Sequence, residues 1–129
     1  MPDLLLAGMS ILLVEDEALL RRQLTAELER LGADVTGAGT LEAARRFAAD
    51  LPIDFALLDV NLPDGLGTDL LRDRAFSSNA TVIVMTAHGG VTGAVDAMRL
   101  GAVDYLVKPF DAAELPLVIA RARRLDVCG

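Results

Sequence analysis

Short apolar runs alternate with amphipathic stretches along the whole chain, and the alternation predicts five strands and five helices. Ile11–Val14, Ala33–Thr36, Phe55–Leu58, Thr81–Met85 and Asp104–Val107 read as strands. Three of them are nearly continuous in apolar residues, as parallel strands covered on both faces must be. Between the strands the period lengthens. Across Glu17–Leu31 the residues Leu19, Leu20, Leu24, Leu28 and Leu31 recur at helical spacing, which leaves Arg21, Arg22, Glu27 and Glu29 for the outward side. Thr40 is placed to cap a helix over Leu41–Ala49, and a Pro-Asp-Gly turn precedes a shorter helix within Asp64–Asp73. Val91–Leu100 ends at Gly101, a suitable helix stop. Asp111 followed by Glu114 has the spacing of a capping box opening a last helix to about Arg124.

Strictly alternating strands and helices favour an α/β three-layer sandwich, (βα)5, around an open five-stranded parallel sheet. Ligands of such sheets bind outside the carboxyl ends of the strands, near the point where strand order reverses. The residues at those ends share a chemistry. Glu15 and Asp16 follow the first strand, Asp59 the third, Thr86 the fourth and Lys108-Pro109 the fifth. Three carboxylates converging on one place repel one another unless a cation or a proton intervenes. An all-oxygen donor set suits Mg²⁺, for which Mn²⁺ could substitute, better than zinc. Lys108 can bring a flexible positive charge to an anion on Asp59, and Thr86 offers a hydroxyl donor. Together these groups make a site for a carboxylate that becomes phosphorylated. Asp59 would be the nucleophile, forming an acyl phosphate, while the metal, Lys108 and Thr86 meet the charge on the phosphoryl oxygens. Acids after the first strand are also what a helix N-terminus attracts through its dipole, and the two readings are compatible.

Composition narrows the field. A chain of 129 residues fits one domain with a real core, and 53% hydrophobic with 24% charged residues is a globular balance. A formal net charge of −7 argues against direct nucleic acid binding, which needs clustered Lys and Arg. One cysteine, Cys128, and one histidine, His88, can build neither an internal disulfide nor a zinc site, and a reducing cytoplasm is the simplest setting. The apolar stretch Leu4–Val14 has no basic flank, is too short to span a bilayer and runs into three acids, so no membrane association is expected. Neither a phosphate-binding P-loop nor a dinucleotide glycine fingerprint follows any strand.

Four blocks carry a family resemblance: Ile11-Leu12-Leu13-Val14-Glu15-Asp16-Glu17, Leu57-Leu58-Asp59-Val60-Asn61-Leu62-Pro63-Asp64-Gly65, Val84-Met85-Thr86-Ala87-His88-Gly89 and Asp104-Tyr105-Leu106-Val107-Lys108-Pro109-Phe110. In this order, each after an expected strand, they resemble the signature blocks of response-regulator receiver domains of two-component systems, which have a flavodoxin-like, chemotaxis-regulator-like fold. The motif is nearest to nitrogen-regulation-type receivers. The resemblance implies a receiver over residues 10–126 behind an extension at 1–9. It implies Asp59 as phosphoacceptor, Asp16 as direct metal ligand, Glu15 as the acid holding metal-bound water, and the Asn61 backbone carbonyl as a further ligand. Thr86 matches the switch hydroxyl, Lys108 the phosphate-pairing lysine, Pro109 the proline that often follows through a cis bond, and Tyr105 an aromatic that turns inward on activation. Asn61 and His88 would tune water access and so the lifetime of the phosphoryl group.

Implied partners are a sensor histidine kinase and an output domain beyond residue 129 or a separate protein target. A homodimer through the helix 4/strand 5/helix 5 face is a further implied contact. Such a domain is a phosphoacceptor and not a conventional enzyme, although it catalyses its own phosphorylation and dephosphorylation. The helix Val91–Leu100, weakened by Gly93 and entered through Gly89-Gly90, suits an element that shifts on activation. Two other classes compete. A phosphatase of the haloacid dehalogenase type carries a second Asp two residues after its nucleophile, where this chain has Asn61. A phosphorylation-independent interaction module would keep the acids without the switch.

Overall fold

The computed structural model, which describes residues 5–87 and 91–128, has the expected alternation of strands and helices. In chain order these are β1 (Ser10–Val14), α1 (Ala18–Arg30), β2 (Asp34–Ala38), α2 (Leu41–Asp50), β3 (Phe55–Asp59), α3 (Thr68–Arg72), β4 (Thr81–Thr86), α4 (Val91–Arg99), β5 (Asp104–Val107) and α5 (Leu115–Cys128). The five strands pair in parallel in the order β2-β1-β3-β4-β5. The order reverses across β1 and β3, so the crevice for a ligand opens where Val14 and Leu58 lie side by side.

Strand pleating divides the apolar residues between two layers. Ile11, Leu13, Phe55, Leu57, Ile83 and Met85 pack with Leu24 and Leu28 of α1 and with Leu115, Val118, Ile119 and Ala122 of α5. Leu12, Val14, Ala56, Leu58, Val82 and Val84 pack on the other side with Leu41 and Ala44 of α2, Leu70 of α3 and Ala97 of α4. β3 and β4 are buried along their whole length, which is why their sequences show no polar alternation. Leu6, which precedes β1, is 1% exposed and belongs to the first layer, its amide bonded to the Leu31 carbonyl at 2.9 Å.

Several boundaries differ from the sequence expectation, each for a local reason. β2 lies further along than Ala33–Thr36 because it pairs with all of β1, from Ser10 opposite Asp34 to Val14 opposite Ala38. The shorter third helix is cut to Thr68–Arg72 because Asn61–Leu62 and Gly65–Leu66 first form a two-stranded ribbon. Leu19 is 54% exposed rather than core, since Leu24 and Leu28 fill the face of α1 that meets the sheet. Arg21 is half-buried rather than turned outward, because it folds back over the β1–α1 junction. Thr40 caps α2 through the Ala43 amide at 3.1 Å. The Asp111/Glu114 capping box is present, opening a short 3-10 turn that runs into α5, which continues past Arg124 to Cys128.

Candidate functional site

β1 and β3 end in register, and the residues that follow them leave the sheet together. Glu15 continues the ladder through its amide to the Ala38 carbonyl at 2.9 Å and is fully buried. Asp59 closes β3 and is 6% exposed, while Asp16, one residue further into the turn, faces solvent. Carboxylate oxygens from Glu15, Asp16 and Asp59 all lie within 4.8 Å of one another. β5 brings the balancing charge. The Lys108 amide donates to the Thr86 carbonyl at 2.8 Å, and its Nζ donates to Glu15 Oε1 and, at 2.9 Å, to Asp59 Oδ2. The Lys108-Pro109 peptide is cis. The remaining oxygens are also engaged, Glu15 Oε2 by the Glu17 amide at 3.0 Å and Asp59 Oδ1 by the Asn61 amide at 3.1 Å.

Burial is the main cause that raises the Glu15 pKa above its ordinary 4.5, and the Asp59 carboxylate adds to it; Lys108 and the Glu17 amide oppose the rise without cancelling it. For Lys108, burial works to lower the pKa, but the hydrogen bonds to Glu15 and Asp59 together outweigh it and hold the ammonium charged. With all three acids ionised, one ammonium leaves the cluster net negative. Hard cations bind oxygens at about 2.0–2.6 Å, so oxygens up to about 4–5 Å apart can share one ion. The triad therefore fits such an ion by donor type and by spacing. A polar atom in want of a partner stands at the same edge. Thr86 is 2% exposed, and its Oγ1 makes no hydrogen bond among the described residues. An unsatisfied buried hydroxyl costs about 1–3 kcal/mol, which an incoming acceptor would recover.

Glu15, Asp16, Asp59, Thr86 and Lys108 thus meet at one edge, as the strand order requires. Asn61 joins them through its amide, its side chain exposed. Tyr105 stands apart on β5 at 44% exposure, its ring outward. His88 lies outside the described residues. Three supporting residues escaped the sequence reading. Gly67 passes so close to Asp59 that a Cβ there would overlap the Asp59 carbonyl, and its amide donates to the Val60 carbonyl at 2.7 Å. The second glycine of Gly65-Leu66-Gly67 was the available signal. Asp64 caps α2 from the ribbon turn, accepting from the Leu41 and Glu42 amides at 2.7 and 3.0 Å. Arg21 donates to the Glu15 carbonyl at 2.7 Å. Among the described residues no helix is long and apolar enough to cross a membrane.

Residues 11–120 match the family model described as the response regulator receiver domain. The chain is 38% identical over 117 residues to the regulatory protein AtoC of Escherichia coli K12, covering 90% of this chain and 25% of that protein. It is 37% identical over 118 residues to the DNA-binding transcriptional regulator NtrC of Azospirillum brasilense, covering 91% of this chain and 24% of that one. It therefore spans about a quarter of the length of these relatives. A CheY-like response regulator receiver domain protein from Methanospirillum hungatei JF-1 has the same fold, with a TM-score of 0.83 and 25% identity over 94% of this chain and 98% of that one.

Proposed function

Because the chain belongs to the response regulator receiver domain family, we propose that it is a phosphorylation-dependent switch with Asp59 as phosphoacceptor. One observation carries this reading: the Asp59 carboxylate lies within reach of two further acids and of the Lys108 ammonium, at the sheet edge where β4 ends in Thr86, whose buried hydroxyl has no partner among the described residues. A sensor histidine kinase supplies the phosphoryl group. An Asp59 oxygen forms the new O–P bond as the N–P bond of the phosphoimidazole breaks, and the imidazole leaves with the bonding pair and takes up a proton. A Mg²⁺ ion (or Mn²⁺) held by Glu15, Asp16, Asp59 and the Asn61 backbone carbonyl supplies charge neutralisation when bound. Lys108 shifts from its two carboxylates to a phosphoryl oxygen, and Thr86 donates its hydroxyl to another.

The readout runs through α4, β5 and α5. Thr86 ends β4, and pulling it toward the phosphoryl group changes the floor under α4. Gly93 leaves that helix with low intrinsic stability. Val95, Met98, Tyr105 and Val107 are each more than 40% exposed there, an apolar surface for an output domain, a separate target or a second copy. Inward rotation of Tyr105 would alter that surface. The name of one relative, a DNA-binding transcriptional regulator, supports a transcriptional output, for which the cytoplasm is the setting.

Labelling by acetyl phosphate tests the reading. Asp59→Asn should abolish it with the fold intact, and Asp16→Ala should remove most of it along with the benefit of Mg²⁺. Normal labelling of Asp59→Asn would show that the acceptor lies elsewhere. A beryllofluoride titration separates the switch from a phosphorylation-independent module, which would give no Mg²⁺-dependent response.

A further inference from the structure

Two of the three clustered acids sit on a turn that the sheet ladder holds only at its first residue, through the Glu15 amide, with the Glu17 amide closing on the Glu15 carboxylate. β1 stops at Val14 and α1 starts at Ala18, so Glu15 and Asp16 are carried by a junction of three residues. The N-cap of α1, Glu17, makes no side-chain capping bond. Among the described residues no strand or helix pairing reaches the Asp16 carbonyl. What touches it comes from one turn into the helix. Arg21 reverses over the junction, and its Nη1 donates to the Glu15 carbonyl at 2.7 Å and reaches the Asp16 carbonyl at 3.5 Å. The side chain forms no ion pair among the described residues, so its bonds to the junction are to main chain.

Room for this arginine is made by β2 and the residue just after it. A Cβ on Gly37 would stand 3.2 Å from Arg21 Cδ, and a Cβ on Gly39 would stand 3.1 Å from Nη1. Both spacings are tighter than side chains normally accept, so any larger residue at either place would press on the arginine. The stem lies over one bare backbone and the guanidinium over the other. Three elements thereby converge on two carbonyls. A planar guanidinium with several donors suits this task, and a half-buried position partly shields the bond to the Glu15 carbonyl from water.

We propose that Arg21, seated against Gly37 and Gly39, is a positioning residue that sets the aim of the Glu15 and Asp16 carboxylates toward Asp59. The proposal rests on the reading of that acidic cluster as a cation site. Groups that orient metal ligands from behind typically contribute 10–100-fold to affinity. Arg21 touches no carboxylate among the described residues. It acts through the backbone that carries two of them.

The test is Mg²⁺ affinity of the whole chain by isothermal titration calorimetry, with thermal melts in EDTA alongside. Arg21→Met keeps an apolar stem over Gly37 and should weaken Mg²⁺ binding about tenfold or more. Gly39→Ala leaves the arginine in place but displaces its head, and should weaken binding in the same direction by less. Arg22→Met removes the same charge from the exposed neighbouring position and should leave affinity unchanged. A merely structural arginine would lower the melting temperature without moving the affinity. Mg²⁺ affinity of Arg21→Met equal to wild type overturns the proposal, as does an equal loss in Arg22→Met. Should Arg21→Met fail to fold, undiminished affinity in Gly39→Ala overturns it instead. Absence of Mg²⁺ binding by the wild-type chain, or full binding by Asp16→Ala, would sink the cation-site reading itself and is told apart by those two proteins alone.

Discussion

The two ends of the one sheet are built on opposite principles. At the amino end each strand start is laced to its neighbours. Ser10 and Asp54 exchange bonds, amide to carboxylate and amide to carbonyl, both at 2.9 Å, and the Asp54 carbonyl accepts the Thr81 amide at 3.0 Å. Leu6 seals the first apolar layer there. At the carboxyl end, three acids crowd one ammonium and a buried hydroxyl has no partner among the described residues. Both ends are made by the same five strands, so the contrast is not forced by topology. Polar groups are satisfied where the sheet needs only to hold together, and left short of partners where a ligand is meant to supply them.

Removing the ammonium should break that contrast most severely. Lys108→Met strands Glu15 in the interior beside Asp59, and breaking a buried pair costs about 3–5 kcal/mol. With Lys108 23% exposed, the lower figure applies. The pH dependence identifies the cause. The Glu15 pKa in the folded chain already lies above the ordinary 4.5, so its protonated form favours folding. That contribution is full below pH 4.5 and is lost as pH rises through the folded value. Without Lys108 the folded value climbs further. Urea denaturation should therefore show a small penalty for Lys108→Met in acid that grows toward neutrality. A penalty constant across that range would mean the lysine stem, and not its charge, is what the fold uses.

At the other end the corresponding change is Leu6→Ala. It should cost about 2 kcal/mol, the low end for a buried leucine because its short segment can settle into the gap. Mg²⁺ affinity should not change, since sites this far apart and without shared partners behave additively. Loss of Mg²⁺ affinity in Leu6→Ala would show that the two ends are not independent.

These residues also mark what could be read from the chain alone. The continuous apolar runs of β3 and β4 announced buried parallel strands. Once strands were placed, Glu15, Asp16, Asp59, Thr86 and Lys108 fell at one edge by geometry. Leu6 did not stand out, because three consecutive leucines, Leu4-Leu5-Leu6, have no periodicity to assign any one of them a face. Arg21 fell on the outward side by helical spacing, which cannot show that Gly37 and Gly39 leave a slot beside it. Leu19 was misplaced inward by the same rule, since spacing alone does not say how wide a stripe the sheet will cover. α3 came out shorter than its pattern because the ribbon at Asn61–Leu66 takes residues that local propensity leaves free.

Asp64 gives the smallest expected effect and the finest test of how the active end is braced. Its carboxylate joins the ribbon after Asp59 to the first turn of α2, 23 residues earlier in the chain. The Leu41 amide does most to hold its pKa below the usual 3.8, the Glu42 amide adds to this, and slight burial opposes it. A depressed carboxylate contributes stability above its ordinary pKa and loses it as pH falls through the folded value. Asp64→Asn keeps one acceptor oxygen but gives up the charge that faces the helix N-terminus. Its melting temperature should lie modestly below wild type at neutral pH, and the gap should close as pH drops below 3.8. A gap that persists in acid would assign the loss to hydrogen-bond geometry alone. A gap that closes would show that the ribbon carrying Asn61 is held against α2 by charge, with the strength of that hold open to salt as well as to acid.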